Sequence, residues 1–210
     1  MLKQYRNRIL ITSIVILLPV LIGLINWNVL PLNMPTHFGF DGEVNGWSNK
    51  YFAVFGIPCF VLVMHMICVF ATLFDPKKQE INDKLLALLF WICPATSWFC
   101  AALIYSSALG IAIDEMIVVD LFMAAFCIGI GNYLPKCRQN YTVGVKLPWT
   151  LADAENWNKT NRLAGWLFVA DGFLWLISVF AGCVAVPLAG IFLAAVISTV
   201  YSLVIYLRKK

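Results

Sequence analysis

Charged residues are scarce in this sequence. Asp, Glu, Lys and Arg make up 12% of the 210 residues, whereas hydrophobic residues make up 61%. A soluble domain typically has about 25% charged residues, and a chain with half that fraction cannot cover a water-facing surface with polar side chains. The composition therefore excludes an ordinary soluble domain and predicts an integral membrane protein.

The sequence also lacks the short motifs that carry catalytic or metal chemistry. It has no CxxC pair, no glycine-rich phosphate loop and no H-E-x-x-H zinc motif. Its seven cysteines are an odd number and six lie in apolar runs, so no disulfide framework is predicted. We expect neither an enzyme nor a cofactor. The net charge of +4 reflects membrane sidedness and does not indicate direct binding of nucleic acid.

Six apolar segments are long enough to cross a membrane, because a spanning helix needs about 20 mostly apolar residues. The first follows a basic N-terminus, but its apolar stretch is too long for a cleaved signal peptide, and we interpret it as a retained helix. The predicted fold class is an all-α membrane protein with six transmembrane helices in a single membrane domain, residues 1–210. The spans are Ile9–Leu30, Tyr51–Phe74, Leu85–Leu109, Met116–Leu134, Ala164–Cys183 and Val186–Leu207.

The distribution of Lys and Arg sets the orientation of these spans. Fourteen of the fifteen basic residues fall on the side that holds both chain ends, and only Lys50 falls on the other. Basic residues collect on the cytoplasmic side of a membrane, so we predict that the N- and C-termini are cytoplasmic. Residues 31–50 then form an extracytoplasmic loop between helices 1 and 2, and residues 135–163 form a cytoplasmic loop between helices 4 and 5.

The predicted extracytoplasmic loop is polar and rich in turn formers. Its Asp41-Gly42 and Asn45-Gly46 dipeptides predict turns, and a tryptophan suits the membrane interface. The loop is either a compact structural cap or a ligand site. Three of its side chains are candidate metal ligands, since imidazole and carboxylate groups suit zinc: His37, Asp41 and Glu43. The predicted binding residues of the loop are His37, Asp41, Glu43, Trp47 and Lys50.

The predicted cytoplasmic loop has a helical second half. Thr150 followed by Asp153 resembles a capping box with Asp in place of Glu. We therefore expect one helix from about Leu151 into the fifth span, with a kink at Gly165. The β-branched residues before it predict an extended segment over residues 140–146.

Three ionisable residues, His65, Asp120 and Asp171, lie inside predicted spans, where an ionisable group is costly and suggests a function. At about 1.5 Å per residue, His65 and Asp171 lie at similar depths and would pair if helices 2 and 5 touch. Asp120 lies near enough to the outer surface to reach water. Each is either a structural hydrogen-bonding group or part of a binding or proton-relay site. A small-residue stripe on helix 4 is expected to face another helix: Asp120, Ala124, Cys127 and Gly131.

Both loops resemble the motifs of known bacterial membrane proteins. LPLNMPTHFGFDGEVNGWSNK, residues 30–50, is similar to an outer-loop motif P-x-H-[FW]…G…[DN]-x-[WY]…K of small membrane proteins. GNYLPKCRQNYTVGVKLPWTLADAENWNKTNRLAGWLF, residues 131–168, resembles the signature of the SdpI family, the immunity proteins of the sporulation-delaying (Sdp) toxin system. The resemblance implies these binding residues in the second segment: Asn132, Lys136, Asn140, Lys146, Trp149, Thr150, Trp157 and Arg162.

The resemblance implies a multi-pass protein of the bacterial cell membrane that protects its producer from a secreted peptide toxin. It also implies signal transduction by a receptor that recruits a cytoplasmic transcriptional repressor to the membrane. The expected partners are membrane lipids, the toxin and the repressor. The alternative is a small membrane enzyme or carrier acting on a lipid-linked substrate, suggested by the intramembrane acids and the basic loop. A channel or transporter has less support, because no internal repeat is visible.

Overall fold

A computed structural model describes residues 2–77 and 83–209, and this part of the chain is mostly helical. Lys78 and Lys210, two of the basic residues predicted to be cytoplasmic, lie outside the described residues. The helices are α1 Leu2–Ile25, α2 Ile57–Leu73, α3 Asp83–Ala108, α4 Glu115–Tyr133, α5 Pro148–Ala152, α6 Ala154–Ala181 and α7 Ala185–Arg208. A π-helical turn, Phe52–Gly56, precedes α2, and a 3-10 turn, Leu134–Lys136, follows α4.

Six of these helices, all except the short α5, are long and apolar enough to cross a membrane. The predicted all-α membrane fold with six spans is therefore confirmed. Only a minority of each apolar stretch is buried inside the protein, so most of its side chains are left for lipid. The first helix ends at Ile25 rather than at the predicted Leu30, because the following residues form turns.

The first of two compact units comprises Met1–Leu73 and Leu86–Glu115. Pro19 interrupts the hydrogen bonding of α1, because proline has no N–H to donate to the carbonyl of Val15. The indole Nε1 of Trp98, on α3, donates to that carbonyl at 3.1 Å. Ser97 donates to the neighbouring carbonyl of Ile16 at 2.8 Å. Thus α3 satisfies backbone groups of α1, as the bilayer requires where a spanning helix contains proline.

The same unit contains a two-stranded antiparallel hairpin, β1 Asn33–Phe38 and β2 Val44–Asn49. The predicted turn at Asp41-Gly42 is present: Gly39 N–H donates to Glu43 O at 2.8 Å, and Gly42 has a φ of 82°. The predicted turn at Asn45-Gly46 is wrong, because both residues lie within β2. Met34 on β1 is fully buried and joins the core of this unit.

The second unit comprises Phe74–Leu85 and Met116–Lys210. Its helices α4 and α6 share a buried cluster that includes Ala124, Cys127 and Trp175. The short connection from α6 to α7 turns at Gly182, whose φ of 62° favours glycine and whose N–H donates to Ser178 O at 2.8 Å.

The predicted single helix from Leu151 is wrong at its start, because the helix is broken at Asp153. This residue has an extended backbone, and its carboxylate accepts from the N–H groups of Glu155 at 2.9 Å and Asn156 at 3.3 Å. Asp153 is thus the N-cap of α6 rather than the third residue of a box begun by Thr150. From there α6 continues helically through Gly165, the predicted kink.

Candidate functional site

The hairpin presents most of its predicted binding residues to the surroundings. His37, Asp41, Glu43 and Trp47 are exposed. His37 Nδ1 donates a hydrogen bond to Asn45 Oδ1, and Asp41 Oδ1 accepts from Glu43 N–H at 3.1 Å. Within residues 2–77 and 83–209, no three His, Cys, Asp or Glu side chains are grouped to hold a metal ion. The hairpin therefore offers surface for contact, while the metal hypothesis for His37, Asp41 and Glu43 gains no support.

Lys50 differs from the other hairpin candidates because it is buried, with 7% of its surface exposed. Its Nζ donates to the carbonyls of Trp27 at 2.9 Å and Leu30 at 2.7 Å, and lies 4.8 Å from the centre of the Trp27 ring. Carbonyls just beyond a helix end lack intrahelical partners. Lys50 satisfies two of them and fastens the hairpin to the chain that follows α1.

The segment between α4 and α6, residues 134–153, forms a fixed loop that we call the platform. Asn140 is fully buried, and its Oδ1 accepts from the N–H groups of Thr142 at 2.9 Å and Val143 at 2.7 Å. This turn replaces the predicted extended segment over residues 140–146, which is wrong. Gly144 has a φ of 127°, and a side chain there would collide with Trp157 and Asn161.

Three further motif residues of the platform and α6 form its framework. Thr150 Oγ1 accepts from Leu147 N–H at 2.9 Å and lies 2.8 Å from Val145 O. Trp157 is fully buried, and its Nε1 donates to Cys137 O at 2.8 Å. Trp149 Nε1 donates to Ser202 Oγ of α7 at 3.0 Å. These contacts hold the platform against α6 and α7.

Asp75, which no sequence pattern indicated, fastens the platform to the chain after α2. Asp75 is buried; its Oδ2 accepts from Tyr141 N–H at 2.8 Å and from Thr142 Oγ1 at 2.6 Å. Gln139 was missed too, although its Nε2 donates to the carbonyls of Thr150 at 3.0 Å and Leu151 at 2.8 Å. Asn156 escaped notice as well, but its spacing of four from Thr160 on one helix face was a usable signal. Its Oδ1 accepts from Thr160 Oγ1 at 2.9 Å, and its Nδ2 donates to Ser202 O at 2.9 Å.

The remaining predicted residues of the second motif stay on the surface. Asn132, Lys136, Lys146 and Arg162 are exposed. Lys146 Nζ also donates to Tyr141 O at 3.2 Å, so its stem crosses the platform. Lys136 and Lys146 therefore give the platform an exposed basic surface, and Arg162 adds a basic side chain on α6.

His65 and Asp171 find hydrogen-bond partners inside their own units. His65 is fully buried in the first unit, and its Nε2 lies 2.8 Å from Thr12 Oγ1. In the second unit, Asp171 Oδ2 accepts from Trp175 Nε1 at 3.1 Å and lies 3.6 Å from Cys127 Sγ. Their mutual pairing stays a prediction.

Asp120 is buried, so the expectation that it reaches water at the outer surface is wrong for this conformation. The small-residue stripe to which it belongs is confirmed as a helix-packing face. All four residues of the stripe are buried, and a Cβ on Gly131 would lie 2.8 Å from the backbone oxygen of Gly165 on α6. Small residues allow this approach between membrane helices.

Comparison with known proteins identifies two related regions. Residues 136–205 match the SdpI/YfhL protein family, and residues 14–62 match DUF1648, a domain of unknown function. The chain is 26% identical to the Immunity protein SdpI of Bacillus subtilis (strain 168) over 201 residues, covering 92% of this chain and 93% of that protein. No solved structure matches the chain. The resemblance to the SdpI family is thus confirmed, and with six candidate spans it indicates a multi-pass bacterial membrane protein.

Proposed function

From this similarity to the SdpI family, we propose that the chain is a membrane immunity protein that protects its cell from a secreted peptide toxin. The observation that carries the proposal is the similarity to a protein named for immunity, which extends over 92% of the chain. We further propose that protection comes from binding, without a catalytic step.

The hairpin is the part of the first unit that we propose to contact the toxin. Phe40 and Trp47 are 80% and 61% exposed. Both lie outside the predicted spans, so a lipid-facing position in a spanning helix does not explain their exposure. Exposed aromatic side chains on a rigid support are typical anchors of protein interfaces. The support here is the strand pairing together with Lys50, which fixes the base of the hairpin.

The platform is the part that we propose to receive a cytoplasmic repressor. Its backbone is held by buried polar groups, whereas Lys136 on the platform and Arg162 on α6 are exposed. A fixed, basic surface favours an acidic partner through charge complementarity and faster association. Membrane lipids with anionic headgroups compete for the same charges.

Immunity is tested by deleting the gene and challenging the strain with the peptide toxins encoded beside it. We expect sensitivity that the intact gene reverses and that Trp47→Ala combined with Phe40→Ala reverses poorly, at equal membrane abundance. Phe52→Ala is the matched control, since Phe52 is also an exposed aromatic residue but lies outside the hairpin. Full survival of the deletion strain under every such toxin would contradict the proposal.

Repressor recruitment is tested separately by membrane fractionation of toxin-treated cells. We expect Lys136→Ala combined with Arg162→Ala to release the repressor to the cytosol while immunity persists. Lys159→Ala is the control, because Lys159 is basic and exposed but is paired with Glu155 at 2.7 Å. Equal membrane retention in all variants would remove the platform from the signalling role.

A further inference from the structure

Asp171 has one oxygen that its surroundings leave without a hydrogen-bond partner. The residue is 2% exposed, and it is the single ionisable side chain between Arg162 and Ala181. Trp175 Nε1 and Cys127 Sγ both donate to the other oxygen, Oδ2. Among the described residues Oδ1 has no hydrogen-bond partner, and it faces Gly190 of α7 so closely that a Cβ there would collide with it.

The helices around Asp171 supply no cation to pair with a carboxylate. On α4 the ionisable side chains are Cys127, Asp120, Glu115 and Tyr133, none of them cationic. On α7 no ionisable side chain occurs between Ala185 and Val200. A buried carboxylate without a cation or a full set of donors is strongly unfavourable. Protonation neutralises the carboxylate and removes this cost.

The next buried polar side chains on these two helices lie toward the Glu115 end of α4. Cys127 of α4 lies level with Asp171 of α6, and the helices are antiparallel, because Gly131 lies against Gly165. Seven residues further toward the Glu115 end, about 10 Å at helical rise, the same register brings Asp120 level with Ser178. Ser178 is 2% exposed, and its Oγ has no hydrogen-bond partner within the described ranges.

Toward the other end of α4, the helices close tightly. A Cβ on Gly165 would lie 2.6 Å from the Pro135 ring and 2.7 Å from Gly131 O. The buried face of α6 between Asn161 and Asp171 holds Ala164 and Gly165, which offer no polar side chain. Close backbone packing and a face without polar side chains both disfavour proton exchange from this end.

We propose that Asp171 is a proton-binding site inside the membrane whose proton is exchanged by way of Ser178 and Asp120, toward the Glu115 end of α4. One proton passes to the Asp171 carboxylate along this route; at the Glu115 end it comes from a hydronium ion, which becomes water, and release reverses this step. The site is closed toward the Gly131 end. It is independent of the proposed toxin contact, because it uses none of the hairpin residues.

The first test is infrared spectroscopy of the full chain in lipid nanodiscs at neutral pH. We expect a C=O stretching band of a protonated carboxyl group that shifts in D₂O and is lost in Asp171→Asn. Asp153→Asn is the control, since Asp153 is an ion-paired surface carboxylate, and it leaves that band in place. If Asp171→Asn removes only carboxylate bands, the proposal is overturned.

The second test measures how fast that band exchanges its proton for deuterium. Ser178→Ala is expected to slow the exchange several-fold, whereas Ser198→Ala leaves the rate unchanged. Ser198 is equally buried in the same unit, but its Oγ donates to Ala194 O at 2.7 Å. Equal rates in both variants, or slowing by Ser198→Ala alone, would overturn the proposed route.

A third measurement keeps the assignment testable if Asp171→Asn does not fold. Carboxyl-¹³C-labelled aspartate in the wild-type chain shifts the band if it arises from an aspartic acid. Asp120→Asn then separates the two buried intramembrane acids, because the labelled band persists if it belongs to Asp171. A band whose frequency does not change with the label, or that disappears with Asp120→Asn, contradicts the assignment.

Discussion

Lys50 shows how one residue connects two elements of the first unit. Its ammonium group is placed at the negative end of the α1 segment, where backbone carbonyls lack helical partners. It donates to Trp27 O and Leu30 O from the base of the hairpin, directly after β2. Removing it leaves two carbonyls without donors and frees the base of β2.

We predict that Lys50→Met lowers the stability of the protein by about 1–3 kcal/mol, the usual cost of leaving buried polar groups unsatisfied. Methionine keeps the length of the side chain but cannot donate. The measurement is thermal unfolding of the purified chain in detergent. Lys136→Met, an exposed lysine over the Tyr133 ring, is the control and should unfold near the wild-type temperature. Equal unfolding of both variants would contradict the anchoring role.

At this scale the sequence identified important residues but not what they do. The motif singled out Asn140, Thr150 and Trp157, and the structure buries all three in the framework of the platform. A motif shows which side chains to single out, but not whether they bind a ligand or stabilise the fold. Their burial in the structure is what indicates the stabilising role. Asp75 was not predicted at all, because its partner Tyr141 lies 66 residues away along the chain.

Between α5 and α6, the break at Asp153 is held by the end of α7. Lys209 Nζ lies 2.6 Å from Asp153 Oδ2 and 2.7 Å from Glu155 Oε2. This hydrogen bond from Lys209 is the main reason that the pKa of the Asp153 carboxyl lies below its usual 3.8. The N-cap of one spanning helix is thereby tied to the C-terminal end of the next.

The lowered pKa predicts a contact that weakens in acid. A carboxyl whose pKa is lower in the folded state stabilises that state above the unfolded pKa, and this contribution is lost as pH falls below 3.8 through the folded value. We expect faster amide hydrogen exchange around Arg208 in that acidic range. Asp153→Asn should show the fast exchange already at neutral pH, whereas Glu43→Gln, at an exposed hairpin carboxylate, should follow the wild type. Identical profiles for all three would contradict the tie.

Hydropathy predicted the spanning helices but not the smaller elements. Six long apolar runs were enough to locate six helices. The strands β1 and β2 lack alternating apolar residues and include Pro35, so their pairing had no pattern to reveal it. The break before α6 was misplaced because Thr150 and Asp153 both suit a helix start, and only their backbone angles decide between them.

For the whole molecule, the distribution of basic residues remains the argument for orientation. Lys50 was the one exception to a cytoplasmic set of Lys and Arg. In the structure Lys50 is buried, and its ammonium group donates to backbone carbonyls rather than to solvent. Packing therefore explains the exception, and the cytoplasmic location of both chain ends stays a prediction.

We predict that a membrane-impermeant maleimide labels Glu43→Cys on intact cells and Lys146→Cys only after permeabilisation, in a chain whose native cysteines are replaced. Restoring Cys137 is the control for exposure, because burial raises the pKa of its thiol to about 11 and should keep labelling slow in open membranes. Labelling of position 146 on intact cells would reverse the orientation.

At the scale of the whole chain, the sequence predicted the fold class and the family resemblance from composition and two motifs. The division into two compact units was not predicted, because it depends on contacts between residues far apart in sequence. Ser97 on α3 donates a hydrogen bond to Ile16 O on α1 in one unit, and Trp149 Nε1 donates to Ser202 Oγ in the other. Neither pair is visible as a local pattern.

The turn at Gly182 also constrains how the chain is made. With only Gly182, Cys183 and Val184 between α6 and α7, there is no hydrophilic segment to be left in water while one helix waits for the other. We therefore expect the last two helices to enter the lipid as a pair, one hairpin rather than two separate spans.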